Sequence, residues 1–411
     1  VGVISVTYST PGELSHTGGF SSRSRLTVME IAVITPYDPV PINSGGKERT
    51  YQTSAALGEH HRVTLYYLET RKERGFTPPG INFERQYLDS QHSAKIRYLP
   101  GIIRKLHPEF LFDRRSLQEI KTDLVILEYP YFYHIARAIS HLNGRCPLVL
   151  FEHNIEHIYY RESGSRFWPL IKLLENLVIR RTDQVITISR KDENYVRKIN
   201  PQARVVTIPV GFDPGRFNPD GLKHRFPRDR INVLFYGRLD IPQSKQVLTF
   251  IVDLDKLISD TGGRITIHVV GAGRPAFSLK QYEHINYIGL VDEPAEYLRG
   301  ADVLIVPLKS TAGMKTRIIE ALACSVPVIT SPEVICGLPE DMKQYVIVAE
   351  TPNGYLEKIK ETAAGKDAGS PDIEKYSVNN LKEEYFDYFS NFRPATPLDR
   401  QVNQQSTYSR K

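Results

Sequence analysis

Two basic side chains lie on either side of a short loop that follows a strongly apolar run at residues 231–236. Gly237 ends that run, and Arg238 and Lys245 flank the loop, which leads into a helical pattern. Two cations beside a helix N-terminus suit a diphosphate. The guanidinium of an arginine can donate paired hydrogen bonds to one phosphate, and the ammonium of a lysine acts as a point charge. The helix dipole adds positive potential at the same place. A basic surface loop is the competing interpretation.

A second group of candidate residues lies within 306–329. A loop carrying Gly313 and Lys315 follows an apolar run, and the next helical pattern places Glu320 just over one turn beyond Lys315. A carboxylate at this point can accept two hydroxyl hydrogens, as a ribose diol would offer. A surface ion pair between Glu320 and Arg317 is the alternative, although the apolar neighbours of Glu320 argue against full exposure.

Two glycine-containing turns also follow apolar runs. Gly45 and Gly46 open a helical pattern, and Gly271 lies in the turn at 270–274. Glycine allows the backbone to approach a ring or a phosphate closely, and a helix N-terminus favours negative charge. Neither turn is a GxGxxG or Walker A loop, so nicotinamide and P-loop nucleotide sites lose support. For the glycine pair by itself, a simple turn is the preferred interpretation.

The segment 151–157 (FEHNIEH) places polar side chains directly after another apolar run. Ligands of open α/β sheets bind beyond the carboxyl ends of the strands, so His153 and Glu152 are well positioned for function. His153 could equally serve a structural hydrogen bond. Glu156 and His157 are expected to be solvated.

These turns belong to a regular alternation of short β-branched runs with helical patterns. Six runs lie between residues 30 and 208, and six more lie between 231 and 349. Runs that are apolar throughout are typical of parallel strands covered on both faces by helices. The sequence therefore predicts an α/β protein with two doubly wound, Rossmann-like domains that face a cleft.

The predicted domain limits follow from a break at 208–214, which precedes a polar, Arg-rich stretch. The first domain spans 29–209, the second spans 210–370, and a helix occupies 371–393. Residues 1–28 have no apolar period and are expected to form a largely unstructured extension, with Met29 as the functional start. Residues 394–411 are expected to be a flexible tail.

The composition narrows the class of protein. Of 411 residues, 41% are apolar and 24% are charged, which excludes wholesale disorder and collagen-like or coiled-coil structure. The 3 cysteines form no disulfide or zinc pattern, which fits a reducing, cytoplasmic location. No apolar run approaches the roughly 20 residues needed to cross a bilayer. The net charge of +6 favours phosphate-bearing or anionic partners without discriminating among them.

From about Ile31 to Phe392, the chain resembles the family 4, or group 1, glycosyltransferases of the GT-B fold. The resemblance rests on the order and spacing of several motifs: GGKER at 45–49, His153, Ser189, GRL at 237–239 with Lys245, and IIEALACSVPVI at 318–329. It implies an acceptor-binding domain followed by a domain that binds a nucleotide diphosphate sugar.

The same resemblance implies roles for individual residues. His153 would face the donor sugar, Arg238 and Lys245 would hold the diphosphate, and Glu320 would bind the ribose. Ser189 would open the last helix of the first domain. The implied reaction is glycosyl transfer with retention at the anomeric carbon, without a metal or another cofactor. The acceptor would be a glycan, a lipid-linked molecule or a small molecule, and no nucleic acid is implied.

Two departures from the family pattern leave alternatives open. The family often has a glutamate eight positions before Glu320, but this chain has Ala312. Arg238 and Lys245 are also one residue further apart than is usual, so Lys315 is a second candidate for the phosphate contact. A catalytically silent glycosyltransferase-like subunit, and a nucleotide-sugar epimerase of the same fold, remain as rival functions.

The stretch 96–115 combines five Arg or Lys residues with apolar groups. Basic, apolar segments can rest on anionic lipid, so peripheral contact with the inner face of an anionic membrane is a hypothesis for this stretch, although an ordinary helix and loop packed on the sheet is the preferred interpretation.

Overall fold

The computed structural model describes residues 28–40, 42, 44–67, 82–87, 114–261, 263–365, 371–390 and 392. The predicted extension at 1–28, apart from Val28, lies outside these residues, as do the predicted tail at 394–411 and nearly all of the basic stretch at 96–115. Two parallel sheets, separated along the chain, form the framework of the described part.

The first sheet has seven strands in the order β3-β2-β1-β4-β5-β6-β7. They are β1 (Glu30–Thr35), β2 (Arg62–Tyr67), β3 (Glu84–Tyr87), β4 (Leu124–Glu128), β5 (Leu148–Phe151), β6 (Gln184–Thr187) and β7 (Arg204–Thr207). All six neighbouring pairs are parallel. The sequence did not predict β3, whose residues ERQY have no apolar pattern.

The second sheet has six strands in the order β10-β9-β8-β11-β12-β13. They are β8 (Ile231–Tyr236), β9 (Ile265–Val270), β10 (Ile285–Gly289), β11 (Val303–Val306), β12 (Val328–Thr330) and β13 (Ile347–Val348). The strand order reverses between β8 and β11, so the turns after β8 and β11 lie where doubly wound sheets bind ligands.

Twelve α-helices are present in the described residues. They are α1 (Gly45–Gly58), α2 (Arg114–Glu119), α3 (Tyr133–Leu142), α4 (Glu156–Glu162), α5 (Trp168–Arg181), α6 (Arg190–Ile199), α7 (Pro242–Thr261), α8 (Pro294–Gly300), α9 (Thr316–Ala323), α10 (Pro332–Ile335), α11 (Pro352–Ala363) and α12 (Val378–Ser390). Of these, α2, α4, α8 and α10 were not predicted.

Helices cover both faces of the first sheet. One face packs against apolar side chains of α3, α5 and α6, including Ile135, Ile171 and Val196. The opposite face packs against α1 and the C-terminal helix α12, whose Tyr385 and Phe389 contribute to the core. The chain therefore returns to the first sheet after completing the second. The α/β class with two Rossmann-like domains is confirmed.

Candidate functional site

A cavity of about 230 Å³ lies between the two sheets, at the ends of β8 and β9 and the start of α9. We call it the interdomain cavity. Both halves of the chain line it, with polar and small residues at Ser44, Gly45, Glu48, Arg216, Tyr236, Gly237, Arg238, Gly271, Thr316, Arg317 and Glu320. Five of the residues singled out in the sequence meet here: Gly45, Gly237, Arg238, Gly271 and Glu320.

Glu320 lies on the buried side of α9 and is 3% exposed. The Tyr236 hydroxyl, at the end of β8, donates a hydrogen bond to Oε2 of Glu320. Burial raises the pKa of the Glu320 carboxyl, and the bond from Tyr236 partly opposes this shift. The alternative of a surface ion pair is therefore wrong, because Glu320 is enclosed and directed toward the cavity.

Glu48 reaches the same cavity from the first domain. Ser44 caps the N-terminus of α1 by accepting a hydrogen bond from the Lys47 backbone, and Glu48 follows in the first turn. Burial, and then the nearby Glu320 carboxylate, raise the pKa of Glu48 to about 8. The sequence reasoning missed this residue, although an acidic residue two positions after Gly46, in the first turn of a helical pattern, was a usable signal.

Arg317 supplies a half-buried cation that the sequence had suggested only as a surface partner of Glu320. Its guanidinium carbon lies 5.9 Å from the ring centroids of Phe235 and Tyr236. A Cβ atom at Gly237 would overlap this guanidinium, so the missing side chain at 237 makes room for Arg317. Arg216, also missed, lines the cavity and pairs with Glu293 at 3.3 Å.

Arg238 stands at the mouth of the cavity and forms a bidentate pair with Asp240. Its Nε donates to Oδ1 at 2.9 Å and its Nη2 donates to Oδ2 at 2.7 Å. The pair raises the pKa of Arg238 and lowers the pKa of Asp240. Both side chains are about two-fifths exposed, so the guanidinium remains accessible to an anion.

The turns after β8 and β9 cross at van der Waals contact. Gly271 has φ = +155°, and a Cβ atom there would overlap the carbonyl oxygen of Gly237. A side chain at Gly271 would push the two turns apart, whereas one at Gly237 would displace Arg317. The glycines thus bring two stretches of backbone together at the floor of the cavity.

Five of the predicted residues do not line the cavity: Lys245, Gly46, His153, Gly313 and Lys315. Lys245 is exposed on α7 and does not line the cavity. Gly46 is also outside the lining, and a Cβ atom there would overlap the hydroxyls of Tyr37 and Tyr129. The absence of a side chain at Gly46 therefore accommodates the hydrogen-bonded hydroxyls of two half-buried tyrosines.

His153 belongs to a second, buried polar group at the ends of β4 and β5. Its Nε2 hydrogen-bonds to Oε2 of Glu128, and its ring stacks on Tyr129 with the centroids 4.2 Å apart. Burial lowers the pKa of His153, Glu128 opposes the shift and Arg49 adds to it. The neutral imidazole is thereby favoured at neutral pH.

The loop between β11 and α9 connects the two groups. Gly313 has φ = +63°, and a Cβ atom there would lie 3.5 Å from the backbone oxygen of His153. The Lys315 ammonium donates to the carbonyl of Ala312 and does not line the cavity. Burial, and then Arg317, lower the pKa of Lys315 to about 8.

The expectation that Glu156 and His157 are solvated is wrong. Each is 5% exposed. Nδ1 of His157 lies 2.5 Å from Oε2 of Glu175, and the Tyr131 hydroxyl donates to Glu156. Packing of α5 against α4 brings Glu175 to His157, which the local sequence could not reveal. Ser189 caps α6 as expected, accepting from the backbone N–H of Asp192 at 3.2 Å.

Within the described residues, no three His, Cys, Asp or Glu side chains are grouped so that they could hold a metal ion. Across the same part of the chain, no helix has both the length and the apolar character needed to span a bilayer.

Comparison with known proteins identifies two matched segments. Residues 44–216 match the family model "Glycosyltransferase Family 4", and residues 230–364 match "Glycosyl transferases group 1". The phosphatidyl-myo-inositol mannosyltransferase of Mycolicibacterium smegmatis is 30% identical over 132 residues. That match spans 31% of this chain and 34% of the mannosyltransferase, about a third of its length.

Solved structures share the fold over nearly the whole chain. Sucrose-phosphate synthase from Thermosynechococcus elongatus superposes with a TM-score of 0.64 at 17% identity, covering 92% of this chain and 98% of its own. HepE from Anabaena, solved with UDP and glucose, gives 0.60 at 13% identity, covering 88% of this chain and 100% of its own. The matched segments and the shared fold agree: the chain belongs to the group 1, or family 4, glycosyltransferases of the GT-B fold.

Proposed function

We propose that the protein transfers a glycosyl group from a nucleotide diphosphate sugar to an acceptor, with retention at the anomeric carbon. The observation that carries this proposal is the convergence of Glu320, Arg238 and Arg317 on one interdomain cavity. A carboxylate for a ribose and two cations for a diphosphate are the groups that such a donor requires.

The ribose end of the donor is assigned to Glu320. The Tyr236 hydroxyl fixes one carboxylate oxygen of Glu320, whose side chain lines the cavity. An ionised carboxylate only accepts hydrogen bonds, so it discriminates in favour of a diol. Glu320 would therefore position the nucleoside, leaving the phosphates to extend toward Arg238.

The diphosphate end is assigned to Arg238 and Arg317, at the turn after β8 and the start of α9. Negative charge accumulates on the diphosphate as the bond to the anomeric carbon breaks. Preoriented cations stabilise that charge more strongly in the transition state than in the bound donor, which lowers the barrier. Side chains supply the countercharge in this scheme, and no step is assigned to a metal. Lys315 and Lys245 are left as weaker candidates, since neither lines the cavity.

The sugar would extend toward His153. The loop carrying Gly313 leads directly into α9 and contacts the backbone of His153 and Asn154, so the two groups of residues are adjacent. The hydrogen bond to Glu128 holds the His153 imidazole in one orientation. Burial favours its neutral form, which can donate or accept a hydrogen bond with a sugar hydroxyl.

The donor and the acceptor are proposed here only as chemical classes. HepE is solved with UDP-glucose, which supports a nucleotide-sugar donor here. The acceptor is a glycan, a lipid-linked molecule or a small molecule. The similarity to a phosphatidyl-myo-inositol mannosyltransferase supports the lipid class, over the third of the chain that it covers.

The decisive experiment incubates the protein with a panel of nucleotide sugars, with and without candidate acceptors, and follows the anomeric proton by NMR. A new glycoside with the donor's configuration is expected. An inverted product would refute retention, and a donor isomerised without acceptor would identify an epimerase. Nucleotide binding without turnover for any donor would favour the silent-subunit function.

A further inference from the structure

An apolar stripe on α5 faces away from the core. Leu170, Leu173 and Leu177 are spaced three and four residues apart and are 45%, 67% and 38% exposed. Phe167, one residue before the helix, is 37% exposed. Residues at this spacing lie along one side of a helix, so the four side chains form a continuous line. We call this line the leucine stripe.

The leucine stripe is not the packing face of the helix. Ile171, Val178 and Ile179 form that face and are fully buried against the first sheet. Clusters of exposed leucine are uncommon on proteins that contact only water, and they indicate an interaction surface. The helix is thus apolar on two sides, of which only one is covered by the rest of the described chain.

The exposed charged side chains of α5 itself, and of the two residues before it, are all basic. In the segment 166–181 the exposed charged residues are Arg166, Lys172, Arg180 and Arg181. The only acidic residue there, Glu175, is fully buried and pairs with His157. A partner for this surface must therefore be both apolar and negatively charged.

The basic surface continues onto the neighbouring helix α3. The Tyr133 hydroxyl donates to the backbone oxygen of Arg181 at 3.2 Å, which joins the two helices. Arg137, His141 and Arg145 are exposed beside this junction. Partial burial lowers the pKa of His141, and the nearby Arg137 and Arg145 lower it further.

We propose that α5 lies on an anionic membrane surface, with the leucine stripe inserted among the lipid chains and the flanking Arg and Lys residues on the headgroups. Helices that rest in the plane of a membrane combine these two features. A second copy of the chain fits less well, because pairing two such surfaces would place like charges together.

The geometry also relates this surface to the interdomain cleft. The leucine stripe begins five residues after Glu162, which hydrogen-bonds across the cleft to Ser310 and Thr311. A membrane bound at α5 would thus lie near a contact that bridges the two domains. The proposal does not depend on the transferase activity, since it concerns binding to vesicles alone.

The test is co-sedimentation of the full chain with vesicles of phosphatidylcholine alone or mixed equally with phosphatidylglycerol. The mixed vesicles are expected to bind the protein, and binding should weaken with salt. Leu170→Gln combined with Leu173→Gln should reduce the partition coefficient by about tenfold or more. Leu222→Gln is the matched control, because Leu222 is a 76% exposed leucine outside the stripe, and it should bind as the parent does.

A second pair of variants tests the charges. Arg180→Gln combined with Arg181→Gln should weaken binding to the mixed vesicles, whereas Lys280→Gln, at an exposed site outside this surface, should not. Light scattering reports the oligomeric state of each variant. The proposal is overturned if the parent does not bind, if it binds both vesicle types equally, if the leucine variant binds as the parent does, or if that variant instead dissociates a dimer.

Discussion

The carboxylate of Glu162 accepts two hydrogen bonds from Thr311, one from the backbone N–H at 3.0 Å and one from the hydroxyl at 2.8 Å. The Ser310 hydroxyl donates a third at 2.8 Å. Glu162 ends α4 on the first sheet, and Thr311 belongs to the loop that follows β11 of the second. Three hydrogen bonds to one carboxylate therefore hold the two domains together beside the substrate cleft.

Glu162→Gln should weaken this closure, because an amide accepts hydrogen bonds through only one of its two terminal atoms. We expect slower transfer and a larger share of donor lost to water, since a closed cleft protects the reactive sugar. Glu357→Gln, on the exposed side of α11, is the control. Equal ratios of transfer to hydrolysis in the variant and the parent would contradict a role for Glu162 in closure.

The same contact predicts a loss of stability in acid. The hydrogen bonds from Thr311 and Ser310 lower the pKa of Glu162 below its ordinary value. The stabilisation is complete above the ordinary carboxyl pKa and is lost as the pH falls through the depressed one. Thermal unfolding should therefore show a smaller acid dependence in Glu162→Gln than in the parent. An identical acid dependence would contradict this assignment.

Arg238→Ala should weaken binding of a nucleoside diphosphate and slow transfer. Loss of a charge-assisted hydrogen bond to phosphate costs about 2 kcal/mol. Asp240→Asn is the matched control, because it removes the partner of Arg238 but keeps the cation. The pair is exposed and contributes at most about 1 kcal/mol, so this control should have the smaller effect. Calorimetric titration measures both, and unchanged affinity in Arg238→Ala would refute the phosphate contact.

Glu320→Gln should reduce nucleotide affinity in a way that depends on the ribose. The amide can accept from one hydroxyl but presents its NH₂ to the other. The loss should nearly vanish for a nucleotide without ribose hydroxyls, while the melting temperature changes little. Tyr236→Phe keeps the Glu320 carboxylate but removes the hydroxyl that donates to it. This variant therefore distinguishes the orientation of the carboxylate from its direct contact with the ribose. A loss of affinity equal for both nucleotides would exclude ribose recognition.

Donor binding should weaken as the pH rises through about 8, the raised pKa of Glu48. Below that pH the Glu48 carboxyl is protonated and neutral. Above it, a second negative charge stands beside Glu320 in the cavity that would hold an anionic donor. Glu48→Gln remains neutral, so its affinity for a nucleotide sugar should stay constant from pH 7 to about 9. The same decline in the variant would assign the effect to another group.

Much of the architecture is encoded in the local sequence. Continuous apolar runs such as 231–236 form strands that must be buried on both faces. Such burial is typical of parallel strands covered by helices. The turns that follow such strands converge at one edge, so Gly237, Arg238 and Glu320 could be proposed together. The short strand β3 was not predicted, because it lies at the edge of the sheet and its polar residues have no apolar period.

Tertiary packing alone decided which distant residues share the site. Glu48, Arg216 and Arg317 are separated by more than 100 residues at each step, and no local pattern specifies that they line one cavity. His157 became buried because α5 delivers the carboxylate of Glu175 to it. In the sequence, Leu173 is as apolar as Ile171. Only the rotation of α5 on the sheet determines that Ile171 enters the core while Leu173 faces outward.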